Sequence, residues 1–286
     1  MSISYANSRF IDTEEVTFPF SSDPLGTLRG YRVFTSCRTV NGKIFRLDDH
    51  IDRLLSEAAE IHMPVAQSKD DITRLLLDTL LRNRHLNQDL LLLIVLSGGA
   101  ADDSGMAPIG PAHFYIIVSP LKVPSTDVYQ QGLSLATYAF ERSFPTVKLL
   151  DYVGGVVAQQ TVVKEHHAHS CLFVSLDADP VWLEGVTFNI FAIRNGALYT
   201  PPLDGRILVG VTRRVVIELA QKIGYPCHER PIFCSETPTF DEVFITSSTR
   251  GAVPIVRIDQ ITIGTGLPGP ITGCIVDAYN AYLTDY

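Results

Sequence analysis

Lys148 is the residue of this sequence best placed for covalent chemistry. It follows Val147 and precedes Leu149 and Leu150. An amine held in apolar surroundings loses hydration of its charged form, so its pKa falls and it becomes a usable nucleophile toward an aldehyde. A lysine in such a stretch can also bury its stem and extend its head to water, so a Schiff-base role needs partners elsewhere in the chain. Three segments suit a phosphate ester. Val211 and Thr212 follow Gly210 at the start of a helical pattern, where unpaired N–H groups and the positive dipole end attract an anion, and the Thr212 hydroxyl can join them. Ser247, Ser248 and Thr249 form a hydroxyl-rich turn directly after a strand pattern. Arg53, read as lying in a first helical turn at the edge of an apolar face, can grip a phosphate bidentately. Glu184 ends the apolar stretch Pro180-Val181-Trp182-Leu183. A partly buried carboxylate needs a partner, and a protonated ring nitrogen is one that keeps it ionised. Each residue also has an ordinary structural reading: helix cap, loop, surface arginine or salt bridge.

The elements that must position these residues follow from periodicity. Residues 43–47 read as a strand, with Asp48 and Asp49 as the N-cap of a helix bearing Ile51, Leu54, Leu55 and Ala58 at helical spacing. A second helix runs from about Asp70 to Arg84, and strands follow at 90–96 and 112–120. Periodicity lapses over Leu121–Gly132, which reads as a connection. Beyond it come a strand at 133–141, a helix at about 151–168 with Val153, Val156, Val157 and Val163 on one side, and strands flanking Asp177–Pro180. Asn195-Gly196 signals a hairpin. A helix over 212–223 carries Val215, Val216, Leu219, Ala220 and Ile223 as its core stripe, stopped by Gly224. A strand spans 242–246. The expected domains are 1–120, an α+β unit; 121–132, a connection; and 133–286, a larger strand-rich unit.

Composition narrows the function classes. Two modest domains fit 286 residues, with 46% hydrophobic and 19% charged residues typical of a globular chain. The net charge of -8, without a Lys/Arg stripe, argues against nucleic acid as a partner. The longest apolar run, Leu90–Leu96, is too short for a bilayer span, and MSISYANSRF is not a secretory leader, so no membrane partner and a cytoplasmic location are expected. The five scattered cysteines and the patch His166, His167 and His169 do not make a metal site. LSGGAADDSG lacks the Gly-Lys-Ser/Thr ending of a P-loop, and there is no Gly-x-Ser-x-Gly elbow.

An ordered set of motifs runs through the chain: Asn41-Gly42-Lys43-Ile44-Phe45 with His50-Ile51-Asp52-Arg53-Leu54; Lys148; Glu184-Gly185-x-x-x-Asn189; Leu198-Tyr199-Thr200-Pro201-Pro202-Leu203 with Gly210-Val211-Thr212-Arg213; Asp241–Thr246; and Gly264-x-Gly266-x-Pro268-Gly269-Pro270-Ile271-Thr272. From about Leu25 to Leu283 it resembles the fold-type IV pyridoxal-phosphate enzymes: branched-chain aminotransferases, D-amino-acid transaminases and aminodeoxychorismate lyases. The resemblance implies a small α+β domain and a larger pseudo-barrel domain with pyridoxal 5′-phosphate between them, in a homodimer. It implies Lys148 as the Schiff-base lysine and Glu184 at the pyridine nitrogen. Arg53, Asn189, Val211, Thr212, Ser247, Ser248 and Tyr152 become the other cofactor contacts. Phe34, Ser36 and Arg38, on one face of a strand, would line the substrate pocket with Thr249.

Departures from the family pattern bear on substrate. Ser97-Gly98-Gly99 stands where well-known D-amino-acid transaminases place a carboxylate-binding arginine. Arg29, reaching in from a neighbouring subunit, and Arg250 are the replacement candidates. Asp151 stands where Asn is common, and Val186-Thr187-Phe188 is bulkier than usual. The expected activity is transamination of D-amino acids or branched-chain L-amino acids with a 2-keto acid acceptor. An aminodeoxychorismate-lyase-type enzyme and a non-catalytic cofactor-binding homologue are the alternatives.

Overall fold

The computed structural model describes all 286 residues, which fall into two compact units. The first comprises residues 1–122, 147–151 and Tyr286; the second comprises 123–146 and 152–285.

The first unit contains β1 (Ile3–Ala6), β2 (Arg9–Asp12), α1 (Pro24–Arg29), β3 (Arg32–Val40), β4 (Lys43–Ile44), α2 (Leu47–Glu60), α3 (Lys69–Arg82), β5 (Leu90–Ser97) and β6 (His113–Pro120). The strands make one antiparallel sheet in the order β2-β1-β6-β5-β3-β4. Alternation decides its faces. Val33 and Cys37 of β3 join Leu90, Leu92, Ile94 and Leu96 of β5 in a core that receives Ile51, Leu54 and Ala58 of α2 and Ile72 and Leu76 of α3. Burying each of these large side chains stabilises the fold by about 1.5–3 kcal/mol. Phe34, Ser36 and Arg38 take the other face of β3 by the same alternation. Residues 147–150 lie along the edge of β3: Phe34 N–H donates to the Lys148 carbonyl (3.0 Å), Leu150 N–H donates to the Arg32 carbonyl (3.1 Å), and Val33 bridges Leu149.

The second unit contains α4 (Thr126–Gln131), β7 (Leu133–Ala139), α5 (Val153–Gln160), α6 (Val162–Glu165), β8 (Ser170–Val174), β9 (Trp182–Gly185), β10 (Asn189–Arg194), β11 (Ala197–Thr200), α7 (Val211–Lys222), β12 (Cys227–Glu229), β13 (Glu242–Ser247), β14 (Gly251–Ile258), β15 (Ile261–Thr262) and α8 (Pro270–Thr284). Its nine-stranded sheet runs β12-β11-β10-β13-β14-β7-β8-β9, with β15 on β14. Residues 186–188 alone link β9 to β10, although the two are far apart in that order. The four steps from Gly185 to Asn189 span roughly 14 Å at most, so the sheet must curl until its end strand meets β10, as a half-barrel does. Asn195 and Gly196, both at positive φ (54° and 78°), turn the β10–β11 hairpin as expected. No helix is long and apolar enough to cross a membrane.

Several expectations need correcting. The α2 N-cap is Arg46, not Asp48 or Asp49; both acids lie in the first turn, and Arg53 is in the second. The β4 strand ends at Ile44. The segment 121–132 contains α4, whose Val128 and Tyr129 pack on the second core. The helix at 151–168 is broken at Thr161 (φ -112°, ψ -99°), and Val153, Val156 and Val157 face outward at 70%, 59% and 43% exposure, whereas Val163 is buried. Ile223 is exposed at the C-cap of α7 rather than part of its buried stripe. The Lys148 segment clusters with the first unit rather than with 133–286, because its backbone hydrogen-bonds to β3.

Candidate active site

In the first unit, Lys148 is held by its main chain on both sides. Its carbonyl accepts from Phe34, while its N–H donates to Oε2 of Glu57 at 3.1 Å. The side chain turns over the Phe34 ring, with Nζ 4.8 Å from the ring centroid. Val147 beside it is buried in the core. The half-buried amine thus has an aromatic face on one side and the Glu57 carboxylate within electrostatic reach. Arg53 Nε lies 3.3 Å from Glu57 Oε1, one helical turn further along α2, and its Nη2 donates to Thr35 Oγ1 at 2.9 Å. The same hydroxyl meets His50 Nδ1 at 2.9 Å, and both Thr35 and His50 are buried. Arg53 and Lys148 thus share Glu57, whose burial pushes its carboxyl up to about 7 against the pull of the neighbouring Arg53.

In the second unit, Glu184 is 6% exposed, and both its oxygens are engaged. Arg142 Nε donates to Oε1 at 3.0 Å; Leu208 N–H (3.1 Å) and Asn189 Nδ2 (3.4 Å) donate to Oε2. Asn189 also donates to the Leu208 carbonyl (3.1 Å). A Cβ on Gly210 would collide with Asn189 Oδ1, so only glycine lets the Glu184 network pack against the start of α7. That helix has no side-chain cap; Val211 and Thr212 are buried in its first turn. Tyr152, at the N-cap of α5, lies under the Arg142 guanidinium, 5.5 Å from its carbon to the ring centroid.

The substrate candidates fall out unevenly. Ser247, Ser248, Thr249 and Arg250 turn from β13 into β14, and Arg250 donates to Ser247 Oγ (3.3 Å) and Thr187 Oγ1 (3.0 Å). Burial lowers the Arg250 pKa from its ordinary value. Ser36 is half-buried on the Phe34 face, and Arg38, at its far end, pairs with Asp89 at 3.8 Å. Arg29 is exposed at the end of α1. A Cβ at Gly98 would lie 2.6 Å from Leu25 Cβ and Tyr31 Cδ1, so an arginine there would force its neighbours to shift. Glu57, Thr35, His50 and Arg142 were not anticipated. Arg142 lies 42 residues from Glu184, and Glu57 lies 91 from Lys148, so no local pattern marks either pair.

The first unit thus holds an amine over an aromatic face and a guanidinium beside a buried carboxylate, and the second holds an uncapped helix N-terminus and a carboxylate fixed by three donors, groups of the kinds that can meet an aldehyde, a phosphate and a protonated ring nitrogen. The fold is the two-unit α+β fold of the pyridoxal-phosphate aminotransferases, with a curled sheet in the second unit. The model of the amino-transferase class IV family matches residues 32–258, and the chain belongs to that family. It is 31% identical over 275 residues (94% of this chain, 92% of the relative) to a Methanocaldococcus jannaschii protein provisionally named as a branched-chain-amino-acid aminotransferase. It is 30% identical to a Listeria innocua D-alanine aminotransferase, covering 93% and 91% of the two chains. A branched-chain amino acid aminotransferase from T.th., solved with pyridoxamine 5′-phosphate, shares the fold at a TM-score of 0.88 with 22% identity, over 99% of this chain and 94% of that one. The chain is an aminotransferase that uses pyridoxal phosphate to transaminate amino acids. The lyase and non-catalytic alternatives are not favoured.

Proposed function

We propose that Lys148 carries the Schiff base and that the substrates are D-amino acids or branched-chain L-amino acids, with a 2-keto acid as acceptor. The observation that carries the assignment is the clamped Lys148 backbone, which aims the amine over Phe34. Arg53, the α7 start at Val211 and Thr212, and Ser247 and Ser248 are the phosphate ligands in this reading. Glu184 takes the pyridine nitrogen, with Asn189 and Arg142 fixing its oxygens, and Tyr152 is a further ring contact.

Bound pyridoxal phosphate supplies a ring that accepts the electron pair released at the substrate Cα. Lys148, once its amine is released, is the base at hand to carry the proton between Cα and C4′. Glu184 keeps the ring nitrogen protonated by remaining ionised, which its three hydrogen-bond donors favour. Phe34, Ser36, Arg38 and Thr249 shape the side-chain pocket. Arg250, half-buried and hydrogen-bonded to Ser247 and Thr187, is the carboxylate ligand supplied by this chain; Arg29 serves only if a second subunit presents it, in a cytoplasmic homodimer.

The test mixes cofactor-loaded protein with single D- and L-amino acids and follows the cofactor's visible absorbance. Conversion by one enantiomer, lost in Lys148→Ala and weakened through a raised KM in Arg250→Ala, is the expected result. Turnover surviving in Lys148→Ala overturns the assignment.

A further inference from the structure

Glu57 is 3% exposed, and the proposed catalytic roles do not use it. Its two oxygens have different tasks. Oε2 accepts the Lys148 backbone N–H at 3.1 Å, while Oε1 faces Arg53 Nε at 3.3 Å and accepts no hydrogen bond. Arg53 is therefore the counter-ion of a buried carboxylate and, on the reading above, also the ligand of the cofactor phosphate. An arriving dianion shares the guanidinium and adds negative charge beside the carboxylate. Two like charges sharing one cation in a buried setting repel more strongly than they would in water. The carboxylate escapes that cost by taking a proton on Oε1, and Oε2 goes on holding Lys148.

We propose that Glu57 is a proton-linked positioning residue: phosphate binding at Arg53 is coupled to uptake of one proton by the Glu57 carboxyl, so the protein holds its cofactor phosphate more tightly as pH falls toward neutrality.

This inference rests on Arg53 being the phosphate ligand. Among the groups around the carboxylate, Arg53 and Lys148 oppose its protonation and Glu60 favours it, while burial outweighs the two cations and leaves it titrating near 7 before any phosphate arrives. His50 reaches Arg53 through Thr35, and Lys69, from α3, is paired with Asp48 and Asp52. The buried Cys37 thiol, which also feels Arg53, is pushed up to about 12 and stays protonated. In the window above pH 7, a phosphate monoester is already dianionic, its own second pKa being about 6. Any proton taken up there comes from the protein side.

The experiment titrates a simple alkyl phosphate monoester into the full chain freed of cofactor, by calorimetry at pH 8 in buffers of different ionisation enthalpy. Wild type should take up several tenths of a proton per phosphate, and its affinity should fall between pH 7 and 9, by at most tenfold per unit. Glu57→Gln keeps an acceptor for the Lys148 N–H; it should take up almost none and show a flatter profile. Arg53→Ala separates the two claims. If it loses phosphate binding while wild type and Glu57→Gln exchange equal numbers of protons, the linkage is wrong and the phosphate assignment stands. If Arg53→Ala binds phosphate as well as wild type, the assignment fails and the linkage with it. Zero uptake in wild type overturns the linkage without any variant.

Discussion

Arg142 donates to Glu184 at 3.0 Å and sends its other arm to the Val186 carbonyl at 2.8 Å, so one guanidinium fixes both the carboxylate and the turn that follows it. The ion pair is largely buried, with side-chain exposures of 19% and 8%. It lies over Tyr152 and Phe173, which limit its access to water. A carboxylate so held cannot swing toward solvent, which is the property that pairing with a ring nitrogen demands.

Breaking this pair on one side should be expensive. Arg142→Met leaves Glu184 buried without its cation, and such a change typically costs about 3–5 kcal/mol. Replacing both residues with methionine removes the orphaned charge and should cost clearly less than the sum of the single changes. Thermal unfolding of the four proteins of the double-mutant cycle measures the coupling. Additive losses would show that the pair is not a coupled unit.

The closed space at position 98 makes a second prediction. Gly98→Arg forces a Cβ against Leu25 and Tyr31. Overpacking of this kind costs about 1–3 kcal/mol, or several degrees of Tm in a chain of this size. It should bring no gain in turnover of D-amino acids. A variant with unchanged Tm and improved KM for a D-amino acid would mean that the Leu25–Tyr31 contact yields easily.

Much of the fold and of the candidate site is legible in the sequence. The α2 and α7 stripes follow the helical period, the Asn195-Gly196 hairpin follows turn chemistry, and the motif order points to the family and its cofactor. What could not be read is what depends on distant pairing. Helical pattern over 151–168 runs through Thr161, yet the backbone breaks there, and the three valines before it face outward. The unit to which Lys148 belongs is decided by hydrogen bonds to Phe34 and Arg32, more than a hundred residues away. Nothing at helical spacing distinguishes Glu57 from any other acid on α2, because its burial and its link to Lys148 depend on residues far along the chain.

Glu242 carries a prediction about the C-terminal helix. It is buried, and its two oxygens accept from first-turn N–H groups of α8, Ile271 at 3.0 Å and Thr272 at 2.7 Å. A Cβ on Gly269 would collide with the Glu242 side chain, which explains the glycine before Pro270. Charge-assisted bonds of this kind contribute about 1.5–3 kcal/mol each. Glu242→Ala should therefore lower Tm by several degrees and speed amide hydrogen exchange in the first turn of α8. Unchanged exchange at Ile271 and Thr272 would rule out the capping role.

Glu57 predicts a pH dependence of stability that is separate from any ligand. Burial moves its carboxyl from the ordinary 4.5 to about 7 in the folded chain, even with Arg53 beside it. A folded-state pKa above the unfolded value means that the folded protein binds this proton more tightly. The stability it contributes is complete below pH 4.5 and is lost as pH rises through 7. Above that, the fold carries a desolvated charge that its ion pair only partly offsets. Glu57→Gln has no such charge to desolvate. Its Tm relative to wild type should climb by several degrees between about pH 4.5 and 7.5 and level off above about pH 8. Melts of both proteins across that range, compared by difference so that all other titrating groups cancel, supply the measurement. A difference that stays flat would mean that the carboxylate is better solvated or better paired than its 3% exposure indicates.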